Sequence, residues 1–238
     1  MGKVYVVGAG PGAPDLITVR GQRLLDAADV LIYAGSLVNP ALVASSPAVE
    51  KYDSWGMSLE ELVAVMAEAV AAGKTVVRLH SGDPSLYGAI VEQMAELEGR
   101  GIGVEIVPGV SSLFGAAAAL KTQLTLRGVS DSVILTRPAG ATLAEDQIAE
   151  FSRMGATMAV FLGTEHLESV IERLECPPET PAAVVYHATW PDQTVVRGTV
   201  ADIAQKARAA GIERTALIII GGVVDSTRSS FTRSHLYG

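Results

Sequence analysis

The chain has 238 residues, room for one large domain or two small ones around a substantial core. Hydrophobic residues make up 49% and charged residues 18%, which excludes a disordered chain, and the net charge of -8 disfavours the broad basic face that general nucleic-acid binding requires. Mean hydropathy is +0.33, yet no stretch offers the roughly 20 uninterrupted apolar residues of a spanning helix, and the N-terminus lacks the pattern of a secretory signal, so a cytoplasmic protein without membrane contact is expected.

Lys3–Gly8 is a compact apolar run ending in glycine. Val30–Ala34, Thr75–His80 and Val104–Val107 repeat the pattern with helical stretches between them, which predicts an α/β fold with a parallel sheet covered by helices. The clearest helix starts at Ser58, whose hydroxyl can cap it while Glu61 reaches back; Leu62, Val65, Met66, Ala69 and Val70 form its apolar stripe, and Gly73 stops it. Strands are expected again at Ser132–Thr136, Thr157–Leu162, Ala182–Tyr186, Thr194–Arg197 and Ala216–Ile220, separated by helices at Leu143–Met154, His166–Leu174 and Val200–Ala210. Two sheets of roughly five strands fit better than one of ten. The expected domains are 1–122 and 130–238, joined near Thr122–Val129, where the helical period fades.

Ligands of open α/β sheets bind outside the carboxyl ends of the strands. Those ends carry the unusual residues here: Gly8–Pro14, Ser81–Gly88 and Pro108–Ser112. Gly8, Gly10 and Ala13 satisfy a dinucleotide fingerprint formally, but Pro11 and Pro14 remove backbone donors from a phosphate cradle, and no carboxylate follows the second strand. Gly73-Lys-Thr precedes a strand, so it is a helix stop and not a phosphate loop. Pro108-Gly-Val-Ser-Ser lacks the second glycine of a nucleophile elbow. In Ser81-Gly-Asp-Pro-Ser-Leu-Tyr-Gly, Asp83 can cap a helix whose first turn Pro84 would occupy. Cys176 is the only cysteine, and His80, His166, His187 and His235 show no ligand spacing with it, so no metal site is expected.

Taken in order, Gly8-Ala-Gly-Pro-Gly, Ser81-Gly-Asp-Pro, Val107-Pro-Gly-Val-Ser-Ser and Phe161-Leu-Gly-Thr resemble the S-adenosylmethionine-dependent tetrapyrrole methyltransferases, over essentially the whole chain. Leu31-Ile-Tyr-Ala-Gly-Ser-Leu-Val, Gly56-Met-Ser-Leu-Glu-Glu, the segment Arg78–Ile90, Ser132-Val-Ile-Leu-Thr-Arg and Ala188-Thr-Trp-Pro-Asp-Gln are more narrowly similar to the precorrin-4 C11-methyltransferases of cobalamin biosynthesis.

The resemblance implies two α/β domains with the cofactor, S-adenosyl-L-methionine, folded in the cleft between them and held largely by backbone groups. Carried over by motif position, the cofactor-binding residues are Pro11, Ser81, Gly82, Asp83, Leu86, Ser111 and Ser112, then Leu162, Ala188, Thr215, Ala216 and Leu217. It also implies methyl transfer to a ring carbon without a protein nucleophile, so no catalytic side chain is expected. Some relatives carry an Asp where Ala34 stands, which excludes a side-chain base at that point. Tyr33, Ser36 and Asn39 are candidates to orient the macrocycle, and Trp55, Met57 and Trp190 to cover it. Arg78, His80, Arg127 and Arg137 are candidate anchors for the carboxylates of a polycarboxylate tetrapyrrole. The Ala34-Gly-Ser-Leu-Val form looks nearer to aerobic-pathway relatives, whose substrate holds no cobalt. A homodimer is expected on the same ground, and Ser234-His-Leu-Tyr-Gly looks like a shortened form of the family's final segment. A sister methyltransferase acting at another ring carbon, a noncatalytic binding module and a nicotinamide-dependent oxidoreductase remain as alternatives.

Overall fold

The computed structural model describes residues 2–225 and Thr232; the Ser234–Gly238 segment and its His235 lie outside the described residues. The chain divides into two compact units, Met1–Ser112 and Leu113–Gly238.

In the first unit, β1 (Lys3–Gly8) leads through α1 (Val19–Asp26) to β2 (Val30–Tyr33), then α2 (Pro40–Ser45), β3 (Glu50–Asp53), α3 (Leu59–Ala71), β4 (Val76–His80), α4 (Ile90–Gly99) and β5 (Gly103–Val107). The strands form one sheet in the order β3-β2-β4-β1-β5, every pair parallel. Residues alternate between its faces. Val7, Leu31, Val77 and Leu79 pack with Leu25 of α1 and Leu42 of α2. Val4, Val30, Ile32 and Val76 pack on the other side with Leu62, Val63 and Met66 of α3 and Leu97 of α4.

The capping of α3 is as its sequence predicts. Ser58 Oγ accepts from the Glu61 N–H at 3.2 Å while the Glu61 carboxylate accepts from the Ser58 N–H at 2.8 Å, and Gly73 follows with φ +76°. Val65 and Val70 are only partly buried, and Val63 takes a place in the core instead. The short edge strand β3 was not expected, because Glu50-Lys-Tyr-Asp has neither an apolar run nor a hydrophobic alternation.

The second unit opens with α5 (Ser112–Leu120) and continues through β6 (Val133–Thr136), α6 (Ile148–Ser152), β7 (Thr157–Val160), α7 (Leu167–Glu172), β8 (Pro181–Tyr186), β9 (Thr194–Thr199), α8 (Ile203–Ala209) and β10 (Ala216–Ile220). Its sheet runs β6-β7-β10-β8-β9. β6 and β7 are parallel, and β10 is antiparallel to both neighbours, as β8 is to β9. The link between β8 and β9 is too short for a crossover, so that pair can only be antiparallel. Contacts place the division of the chain at Ser112, earlier than Thr122–Val129, because Leu113, Ala116 and Leu120 of α5 pack with Ala159, Ala183, Val185 and Ile219 of this sheet.

The helix expected at Leu143–Met154 is much shorter. Asp146 accounts for this: its carboxylate accepts from the Ala139 N–H at 2.6 Å and the Ile148 N–H at 3.1 Å and pairs with Arg173 at 2.5 Å. These bonds hold the preceding chain in a loop and let the helix start only at Ile148. Burial alone would raise the Asp146 carboxyl; the N–H groups and Arg173 outweigh it and hold it below the usual carboxylate value.

A depressed native pKa means stability that is present above the unfolded value and lost as pH falls through the native one. Asp146→Ala should therefore cost about 1–3 kcal/mol at pH 7, and below about pH 4 the wild type should lose stability faster than the variant. Denaturant melts across that range check it, and parallel pH profiles would reject it.

Candidate active site

Three loops of the first unit meet at the carboxyl end of its sheet. The Gly10 N–H donates to Gly82 O at 3.3 Å, the Gly82 N–H donates to Gly10 O at 2.8 Å, and the Ala9 N–H reaches His80 O at 2.7 Å. The Asp83 side chain ties in the third loop, accepting from the Gly109 N–H at 2.8 Å. It also accepts from the Ser85 N–H at 2.8 Å and from the Ser85 hydroxyl. Burial pushes the Asp83 carboxyl up, and these donors outweigh it to hold it below its ordinary value.

Asp83 is therefore a loop tie and not a helix cap. α4 starts only at Ile90, and Pro84, expected in its first turn, is buried in a loop where Tyr87 and Ala89 adopt φ of 53° and 48°. Glycine is needed where the loops touch. A Cβ on Gly8 would lie 2.5 Å from Gly109 Cα and 2.7 Å from Gly82 O, and one on Gly109 would lie 2.7 Å from Gly8 Cα. Gly82 has φ +61° and faces Ser111 Cα. Of the candidates, Pro11, Ser81, Gly82, Asp83, Ser111 and Ser112 thus lie on converging backbone segments, and Leu86 follows in the same loop, its N–H on Asp83 O at 3.2 Å.

The second unit has its own cluster. Leu162 follows β7, His187 and Thr189 follow β8, and Thr215 precedes the antiparallel β10, so all four stand at one end of the sheet. Their φ values are 55°, 45°, 72° and 56°. Left-handed backbone in non-glycine residues costs about 1–3 kcal/mol each, and strain of this kind clusters at functional sites, which makes this sheet end a candidate site. The turns are pinned from behind: buried Thr164 donates its hydroxyl to Ala216 O at 2.9 Å and accepts from the Ala216 N–H at 3.3 Å, and the His187 N–H donates to Thr215 O at 3.4 Å. Leu162 is exposed, Ala188 and Leu217 are buried, and Thr215 and Ala216 sit at the strand start between them.

Sequence reasoning singled out neither His187 nor Thr189. No glycine marks those turns, so their strain had no signal in the residue types. His187 Nδ1 lies 3.0 Å from Asp192, and its ring stacks on Tyr186 at 3.8 Å and on Trp190 at 5.0 Å. A recess of about 320 Å³ lined by Ser130, Asp131, Met154 and Gly155 lies at the amino ends of β6 and β7, the opposite end of this sheet from the strained turns.

The secondary candidates differ in placement. Asn39 caps α2 through the Ala41 N–H at 2.9 Å and donates to Gly12 O at 2.9 Å; Tyr33 ends β2 half-buried, and the side chain of Ser36 lies outside the description. Arg137 donates to Thr142 Oγ1 at 2.6 Å and Thr142 O at 3.0 Å, within its own loop. The Arg127 carbonyl accepts from the Thr232 N–H at 3.0 Å. Arg78 and His80 are buried. Trp55 is 82% exposed, while Met57 and Trp190 are half-buried.

Residues 3–204 match the family Tetrapyrrole (Corrin/Porphyrin) Methylases. The chain belongs to that family. Among its relatives, the cobalt-precorrin-4 C(11)-methyltransferase of Methanocaldococcus jannaschii is 50% identical over 97% of this chain and 92% of its own length. The precorrin-4 C(11)-methyltransferase of Mycobacterium tuberculosis is 48% identical over 98% and 95%. Among solved structures, a cobalt precorrin-4 methyltransferase described as a cobalamin biosynthetic enzyme superimposes with a TM-score of 0.90 at 44% identity, covering 94% of this chain and 96% of that one. The uroporphyrin-III C-methyltransferase of Thermus thermophilus, solved with S-adenosylhomocysteine, gives 0.81 at 31% identity over 94% and 99%. The family match of this tetrapyrrole methylase thus spans the first unit and most of the second. Among the described residues no helix is long and apolar enough to cross a membrane.

The glycine contact yields a direct test. Gly109→Ala drives a methyl group into the backbones of Gly82 and Gly8 and should destabilise the protein by about 1–3 kcal/mol. Gly103→Ala, at a β5 position where a Cβ meets nothing within 4 Å, should stay within about 0.5 kcal/mol of wild type. Equal melting temperatures for the two variants would refute the packing argument.

Proposed function

We propose that this chain transfers the methyl group of S-adenosylmethionine to C11 of precorrin-4 or of its cobalt complex, as a step in making cobalamin. The observation that carries this reading is the near full-length identity to enzymes of one named ring position, well above that to the uroporphyrin-III enzyme. Relatives at almost equal identity act on the cobalt and on the metal-free form, so the reading spans both.

The residues fit the donor. Its proposed holders in the first unit are Pro11, Ser81, Gly82, Asp83, Leu86, Ser111 and Ser112, where glycines leave backbone N–H and C=O groups uncovered by side chains. In the second unit they are Leu162, Ala188, Thr215, Ala216 and Leu217, on or beside turns strained into place. Such backbone groups suit a zwitterionic nucleoside ligand better than a phosphate, for which Pro11 and Pro14 remove donors. When bound, the donor supplies an electrophilic methyl on a sulfonium.

The chain's own part is positioning and exclusion of water. Fixing two reactants in line supplies up to about 7–11 kcal/mol of barrier reduction in well-oriented cases. Backbone carbonyls that gripped the sulfonium too tightly would slow transfer, since its positive charge disappears as the methyl moves. Ala34 offers no base, and the ring carbon supplies the bonding electron pair, so no protein nucleophile is required. We extend the reading to a homodimer, as is typical of the family.

Incubation with precorrin-4 and methyl-labelled S-adenosylmethionine, followed by mass and NMR analysis, should give one added methyl with the label on C11. Label at another ring carbon would replace the assignment with a sister activity. Calorimetry should show S-adenosylhomocysteine binding and no NAD(P) binding.

A further inference from the structure

The proposed function gives His187 no task, yet its ring is fixed both in plane and in rotation. Nδ1 faces the Asp192 carboxylate at 3.0 Å, and the ring stacks on Tyr186 at 3.8 Å and 14° and on Trp190 at 5.0 Å and 28°. The turn that carries the pair is closed by its own bonds. The Trp190 N–H donates to His187 O at 2.9 Å, the Gln193 N–H to Trp190 O at 3.1 Å, and the Thr189 N–H to Gln193 Oε1 at 2.7 Å. Nε2 has no hydrogen-bond partner among the described residues and is not sealed from solvent; the side chain is 19% exposed.

An anionic partner keeps a proton on Nδ1, so in the neutral ring Nε2 carries the lone pair. The same carboxylate stabilises the cation formed when Nε2 takes up a second proton. Tyr186 brings the other titratable group against the ring, while Glu213 and Arg214, on the chain entering β10, form no ion pair with it among the described residues. The result is a base oriented by one nitrogen and open at the other. It stands at the sheet end that carries Leu162, Ala188 and Thr215, with its own N–H on Thr215 O.

Other groups are less suited to accept a proton. His80 turns Nδ1 to Ser81 O at 2.7 Å, its Nε2 lies 2.5 Å from where a Cβ on Gly88 would stand, and burial holds the ring below its usual pKa. His166 is exposed, with no side-chain hydrogen bond or ring contact to orient it among the described residues. Asp83 is committed to three donors. Ala34, at the end of β2, has nothing to titrate.

A methyl group leaving a sulfonium leaves one positive charge to account for. The C11–methyl bond forms from a ring π pair as the sulfur–methyl bond breaks onto sulfur. The ring then holds the charge and sheds it as an N–H proton, whose bonding pair stays on nitrogen. We propose that His187 Nε2 accepts that proton, with Asp192 as the positioning residue behind it. This rests on the methyltransferase reading above and adds to it a catalytic side chain.

The test uses the full chain and the variants His187→Asn, chosen because Asn tolerates the left-handed backbone at that position, and Asp192→Asn. In single turnovers at saturating S-adenosylmethionine and precorrin-4, the wild-type rate should fall on the acid side as the ring is protonated. His187→Asn should lower the rate about 100-fold or more and abolish that acid limb. Asp192→Asn should lower it less and move the limb to lower pH, since the carboxylate favours the protonated ring. S-adenosylhomocysteine affinity should stay within about twofold of wild type in both variants. Nitrogen-15 NMR of the wild type should show the proton on Nδ1, and the Nε2 resonance should move when precorrin-4 joins the complex with S-adenosylhomocysteine.

An unchanged rate or a retained acid limb in His187→Asn would overturn the base, as would a proton on Nε2 in the neutral ring. A loss of S-adenosylhomocysteine affinity as large as the loss of rate would make His187 a holder of the donor instead. If His187→Asn melts far below wild type, the wild-type tautomer and the Asp192→Asn profile decide by the same criteria. Wild type that labels C11 while His187→Asn keeps its rate would sink the base and leave the function standing; wild type that binds the donor but methylates no tetrapyrrole would sink both.

Discussion

Three backbones in van der Waals contact, those of Gly8, Gly82 and Gly109, are the constraint on which the carboxyl end of the first sheet depends. Each belongs to a different loop; a Cβ on Gly8 or Gly109 would part them, and Gly82 is held at φ +61°, where a side chain is strained. Because β1 lies between β4 and β5, the loops leaving these strands start as neighbours, and the glycines convert that adjacency into contact. Asp83 then locks the arrangement by accepting the Gly109 N–H across the loops.

The second unit reaches a similar end by different means. No glycine triad closes its turns; non-glycine residues are held at positive φ by sheet register and by the buried hydroxyl of Thr164. Strain of this kind persists only where surrounding structure over-determines it. Here the over-determination comes from Leu167, Val170, Ile218 and their neighbours in a closely packed core. The two units thus illustrate two ways of presenting main-chain polar groups, one by removing side chains and one by bending the chain against its preference.

Much of this was legible from residue order. Lys3–Gly8 and Ala216–Ile220 are strands at the expected limits, since continuous apolar runs of that length bounded by turn residues have few other readings. The helix start at Ser58 was legible because both partners of its capping box are local. β3 was not, since an edge strand of Glu50-Lys-Tyr-Asp owes its form to pairing with β2 and to no pattern of its own. Pro84 suggested a helix start, yet the tie from Asp83 to Gly109 joins residues remote in sequence and carries the chain on to Ile90. The candidate site followed the same division: glycine-bearing loops stood out, whereas His187, Thr189 and the solitary burial of Arg78 required coordinates.

The placement of β10 has a consequence for how the second unit is made. Its neighbours β7 and β8 are both synthesised earlier, yet neither pairs with the other; each pairs with β10. A growing chain that has not reached Ala216 therefore holds two apolar strands with open edges and nothing to join them. The first unit, whose strands are all present by Val107, can assemble while translation continues, but the second must wait for its keystone. During that interval the exposed edges of β7 and β8 are where chaperones would bind and where aggregation would begin.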